Sequence, residues 1–160
     1  MTVNESLAGG LQQNLGMLKM HVADLADGEL MTRPVPGANH ANWQLGHLIV
    51  SESQMLAGCG AAMPPLPGGF AERYSKATAK SDDAAKFATK AELLTVLETT
   101  RAASVAFAKT ATPAQLAAPS PMADMCPTVA DMVALCPVHA AMHIGQIQVL
   151  RRKLGKALLF

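Results

Sequence analysis

Leu7, Leu11, Leu15, Leu18, Val22 and Leu25 recur at steps of three and four residues, which writes one apolar stripe along a helix. Such a stripe has to be covered by other helices, and the chain supplies three more candidates. The first helix is predicted from Asn4 to Ala26, ended by Asp27-Gly28, with Arg33-Pro34-Val35-Pro36-Gly37 as a loop. The second begins near Asn39 to Asn42, either Asn serving as N-cap, and runs to about Gly58. The third spans Thr89 to Thr110, opened by a capping-box pair Thr89 and Glu92 and carrying Leu93, Leu94, Leu97, Val105 and Phe107. The fourth runs from Thr128 to Leu154, with Gly155 as C-cap. Pro137 falls inside it, and a kink near Val133 to Cys136 is expected.

Half of the 160 residues are hydrophobic yet only 4% are aromatic, so Ala, Leu and Met, all good helix formers, make the core. The expected class is all-α: one domain over residues 1–160, a four-helix bundle with a long crossover between helices two and three. That crossover, Cys59 to Ala88, contains Pro64-Pro65-Leu66-Pro67-Gly68-Gly69 and is too long for an ordinary loop. A chain that travels the bundle's length between two helices leaves them parallel. Phe70 to Tyr74 should then pack against one side near a bundle end, as a wall of a pocket or as a plain connection. Arg73 and Tyr74 are expected in solvent.

The 13 Lys and Arg against 12 Asp and Glu give a net charge of +1, which offers no electrostatic case for nucleic-acid binding. The run Arg151-Arg152-Lys153 sits where the last helix ends and suits its dipole. Cys59, Cys126 and Cys136 form no Cys-x-x-Cys pair, as in a reduced compartment. The first residues show no basic, apolar leader, and no run of about 18 apolar residues suggests a membrane span. A cytoplasmic protein is expected.

The chemistry lies in the histidines. His139 and His143 stand at i and i+4, so their Cβ atoms lie roughly 5–6 Å apart on one helical face, close enough to share a metal. Glu does not follow His139, so the zinc-protease pattern is absent. His47 sits in an otherwise apolar helix and is the best third ligand; a core histidine bonded to a carbonyl is the equal alternative. His40 lies about 10 Å along the axis from His47 and is excluded from the same ion, as is Cys136 by its distance from His143. His21 is expected at a core boundary. By helical phase Trp43, Gln44, Ser51 and Gln146 are candidate substrate-binding residues, whereas Glu52 is off the His47 face. Gly46 beside His47 would admit a close neighbouring helix.

The segment Asn39-His40-Ala41-Asn42-Trp43-Gln44-Leu45-Gly46-His47-Leu48 resembles the second-helix motif of the DinB-like superfamily. Thr128 to Met132 and His139 to Ile147 resemble its last-helix motif, and Arg151 to Lys156 its usual ending. The resemblance implies a four-helix bundle, often a homodimer, with a divalent metal, commonly zinc or nickel, on His47, His139 and His143. It implies a small-molecule substrate and, from its best-understood members, a thiol S-transferase or isomerase using a low-molecular-weight thiol: mycothiol, bacillithiol or glutathione. Pro137 so close to the histidine pair departs from the pattern. Three readings stand: a metal-dependent transferase, a non-catalytic metal or small-molecule binding protein, and a helical interaction module whose histidines only pack.

Overall fold

The structure is a computed structural model that describes residues 1–159. Among these, seven α-helices follow in order: α1 (Val3–Val22), α2 (Asp27–Leu30), α3 (Ala41–Gly58), α4 (Phe70–Arg73), α5 (Lys90–Thr110), α6 (Pro113–Ala117) and α7 (Val129–Lys153). The long ones, α1, α3, α5 and α7, make the four-helix bundle the sequence predicts.

Pairwise hydrogen bonds fix their directions. Asn4 Nδ2 donates to Ala108 O and Ala111 O, and Arg101 reaches Leu11 O, so α1 and α5 are antiparallel. Asn14 Nδ2 donates to Pro137 O and Arg151 Nη1 to His21 O, so α1 and α7 are parallel. Asn42 Nδ2 donates to Ala88 O while Glu52 meets Arg101 and Ser104, so α3 and α5 are parallel, as the crossover length implies. The order is therefore up-down-down-up.

Several local expectations are corrected. The first helix ends at Val22, and Leu25 is buried beyond it in the turn before α2. Neither Asn39 nor Asn42 caps α3; His40 does, its Nδ1 accepting from Trp43 N at 3.0 Å. His21 is fully buried rather than marginal, its Nδ1 2.7 Å from Met17 O. As expected, α7 is one helix that contains Pro137, beside which Gly10 and Asn14 of α1 pack. The basic run does fall in the last turn of α7, but Arg151 is also 1% exposed, holding His21 O, Asp24 and Ala157 O. Helix α7 is long and apolar enough to meet the measure of a membrane span; Met132, Val133, Ala140, Ile147 and Leu150 on it are wholly buried in the bundle.

The crossover is mostly solvent-facing, with Arg73 exposed as expected, yet it lends aromatic side chains to the core, Tyr74 among them. Phe70 and Tyr74 are 3% and 1% exposed; Phe70 packs on Tyr74, and Tyr74 on Phe87. The Tyr74 hydroxyl donates to Asn42 Oδ1 at 3.2 Å and accepts from Ala88 N at 2.9 Å, while Asn42 Nδ2 donates to Ala88 O at 2.8 Å. These three bonds close a ring that ties the crossover to the starts of α3 and α5. Gly46 makes this possible. A Cβ there would lie 2.1 Å from Tyr74 Cδ1, so what approaches Gly46 is the tyrosine ring and not a helix.

Midway down the bundle, Arg101 and Glu52 form an ion pair at 2.7 Å with side chains 1% and 5% exposed. Ser104 Oγ donates to the other Glu52 oxygen at 2.6 Å, and Arg101 Nη1 donates to Leu11 O at 2.8 Å. Charges this deep are tolerated only because both are paired.

Two tests follow from this packing. Gly46→Ala drives a carbon into the Tyr74 ring and is expected to cost at least about 1–3 kcal/mol in denaturant unfolding. Glu52→Leu leaves Arg101 buried and unpaired and is expected to cost about 3–5 kcal/mol, whereas Glu52→Leu with Arg101→Met should cost far less. Equal losses for the single and double variants would show that the pair is not the constraint.

Candidate metal centre

The antiparallel apposition of α3 and α7 sets His47 opposite His139 and His143. Their available donor atoms all lie within 4.8 Å of one another. Ring centroids stand 5.2 Å apart for His47 and His139, 5.6 Å for His47 and His143, and 5.0 Å for His139 and His143, all edge to face. His139 and His143 owe their proximity to helical spacing alone; His47 reaches them only through the fold.

The site favours neutral imidazoles. Burial pushes the pKa of all three below the ordinary histidine value. His143 lies deepest and is held down to about 4 by burial and then by the charges of His139 and His47. The further charge acting on His47 is that of Lys76, in the crossover. Three neutral nitrogens drawn together, with no carboxylate of the described residues acting on them, suit a divalent ion of the zinc type, which takes imidazole nitrogen at about 2.0–2.1 Å. The residues present therefore fit such an ion.

Around them the other candidates named from the sequence fall into different places. Trp43, 5% exposed, stacks on His47 at a centroid separation of 4.8 Å and 9° between planes. Its Nε1 donates to Ser75 O and Thr78 Oγ1, both at 3.2 Å, so the indole packs in the core with one face on His47. Gln44 is 1% exposed, with Oε1 3.0 Å from His143 Nδ1 and Nε2 2.6 Å from Asn39 O. Ser51 Oγ is 3.5 Å from His47 Nδ1, at the limit of a hydrogen bond. Gln146 is exposed, one turn beyond His143.

The residues set aside in the sequence stay apart from the triad. His40 is buried as the cap of α3, its Nε2 3.2 Å from Ser81 O. Cys59, Cys126 and Cys136 all pack in the cluster at the other end of the bundle, and burial raises the Cys136 thiol pKa far above its usual range. Glu52 is engaged by Arg101 and Ser104. The sequence held no signal for Lys76: it is an exposed residue of a Pro-rich segment, brought to the site by the turn that Trp43 grips.

The comparisons agree with this architecture. The conserved protein of a locus from Enterococcus faecalis superposes with a TM-score of 0.72 at 16% identity, covering 98% of this chain and 99% of its own. YfiT from Bacillus subtilis, described as a probable metal-dependent hydrolase with an unusual four-helix bundle topology, superposes with a TM-score of 0.73 at 21% identity, covering 96% of this chain and 89% of its own. No curated protein matches the sequence. The profile of the DinB superfamily matches residues 11–147, most of the chain and all of the triad. With that match, the bundle and the three histidines on its facing helices, the chain belongs to the DinB superfamily.

Proposed function

We propose that this protein is a metal-dependent enzyme of the thiol S-transferase or isomerase type, with one divalent ion, zinc or nickel, on His47, His139 and His143. The observation that carries the reading is the donor set: three neutral imidazoles drawn together without a fourth protein ligand among the described residues, the pattern of catalytic rather than structural sites. An ion held there supplies a Lewis-acid position at which a thiol or water ionises near neutral pH.

The remaining arguments concern the chain's own groups. Hydrolysis at such a centre is served by a carboxylate that takes the proton of water, as the Glu of His-Glu-x-x-His does. Here the charges acting on the triad are those of its own members and of Lys76, and Glu52 is held by Arg101. A thiol is far more acidic than water, with a pKa of about 8.5, so on ionising at a bound ion it would pass its proton to solvent and need no such base. The stacked indole of Trp43 gives one apolar wall, and Ser51 and the exposed Gln146 are the polar groups nearest in helical phase. Elsewhere on α7, Val138, Met142 and Val149 share one helical face and are 56%, 63% and 40% exposed, an apolar stripe that supports a homodimer.

Metal-free protein titrated with Zn2+ or Ni2+ is expected to bind one ion per chain, and His139→Ala to lose that binding while keeping its helical circular dichroism. The loaded protein should consume an alkylating electrophile in the presence of glutathione, bacillithiol or mycothiol. Thiol-independent hydrolysis of an ester or amide would overturn the transferase reading in favour of the reaction suggested for YfiT. Stoichiometric metal with neither turnover would leave a non-catalytic binding protein. Light scattering checks the dimer, which Met142→Lys should split into monomers without unfolding.

A further inference from the structure

We propose that Gln44 is a positioning residue that fixes which nitrogen of His143 is offered to the metal, and that the backbone carbonyl of Asn39 fixes Gln44. The inference rests on the triad being a metal centre, but its first test does not.

An amide side chain can be turned either way, and only its neighbours decide its orientation. The carbonyl of Asn39 can only accept, so the Gln44 group 2.6 Å from it is the NH2. The amide oxygen then faces His143 Nδ1 at 3.0 Å. That oxygen also only accepts, so Nδ1 carries the ring proton. A neutral imidazole carries one N–H, which leaves Nε2 bare. Gln44 is 1% exposed, so water cannot stand in for either bond. The chain of donors and acceptors thus runs from a backbone carbonyl to the coordinating nitrogen with no free choice along it. It also opposes the preference of a free histidine side chain, which keeps its proton on Nε2.

His40, at the start of the same helix, is set the opposite way by the same logic. Its Nδ1 accepts from Trp43 N at 3.0 Å, so Nδ1 is bare and Nε2–H donates to Ser81 O at 3.2 Å. Both of its nitrogens are occupied by the backbone. The first turn of α3 therefore removes one histidine from coordination and prepares another for it. His47, whose contact with Ser51 Oγ is 3.5 Å, has no comparable constraint. Of the two, His143 is the pre-oriented ligand. A second bond of this kind on a metal-bound histidine commonly changes metal affinity about 10–100-fold on removal.

The test begins with the unmodified, metal-free protein. Two-bond 15N–1H correlation spectra at about pH 7.5, where the rings are neutral, report the tautomer of each histidine. His143 should show a protonated Nδ1 and a bare Nε2, and His40 the reverse; a bare Nδ1 on His143 would overturn the proposal. Gln44→Met keeps the length and loses the acceptor. In that variant His143 should shift toward the Nε2–H form, and Zn2+ affinity, measured by chelator competition, should fall about 10–100-fold. Zn2+ affinity within twofold of the parent would also overturn the proposal. If Gln44→Met fails to fold, the parent spectrum alone decides. A parent protein with the expected His143 tautomer and no Zn2+ binding would sink the metal reading while leaving the Gln44 relay intact.

Discussion

The Tyr74 ring lying on the bare backbone of Gly46 is the contact on which the site depends. It seats the crossover against α3 one residue before His47, at a distance that no side chain at position 46 would allow. From that seat the Tyr74 hydroxyl joins Asn42 and Ala88, which aligns the start of α5 with the start of α3. The same seating brings Ser75 and Thr78 to the edge of the Trp43 indole, and the indole face to His47. The run from Asn42 to His47 thus assigns its residues different tasks: tying α5, gripping the crossover, holding His143, admitting Tyr74 and facing the histidines of α7.

The buried polar groups divide the interior in two. The triad's hydrogen bonds go to the neutral Gln44 and Ser51, and burial works against any proton on the imidazoles. One step down the bundle the Glu52–Arg101 pair concentrates full charges, matched by Ser104 and the Leu11 carbonyl. Glu52 is on the same helix as His47, yet its carboxylate is spent on a cation and stays out of the chemistry. A buried pair of this kind adds little net stability, but it penalises any register of α3 against α5 that separates the partners.

Much of this was legible in the sequence because it is local. The stripe from Leu7 to Val22, the capping box at Thr89 and the spacing of His139 and His143 follow from helical geometry alone. The crossover's length implied the parallel helices. What escaped was set by partners distant in sequence. Helical phase turned Gln44 and Trp43 toward the site but could not tell a contact to His143 from one to a ligand. Histidine at a helix start reads as a titratable group, and only the fold shows His40 serving as the cap that either asparagine was expected to be. Prolines and glycines marked residues 59–88 as loop, yet Phe70, Tyr74 and Phe87 within it carry aromatic area that the aromatic-poor helices lack.

The up-down-down-up order has a kinetic consequence. Helix α1 lies between α5 and α7, and its bonds to α7 join residues as far apart as Asn14 and Pro137, or His21 and Arg151. A bundle of successive hairpins could bury each helix against the one just made. Here the first helix has neither of its two neighbours until α5 has been made, and lacks the second until α7 follows. Bundles with mostly local contacts are among the fastest folders, and chain closure between distant segments slows that process. The apolar stripe of α1 is then exposed for longest during synthesis, and the step that finally covers it is the one that brings the two histidines of α7 to His47.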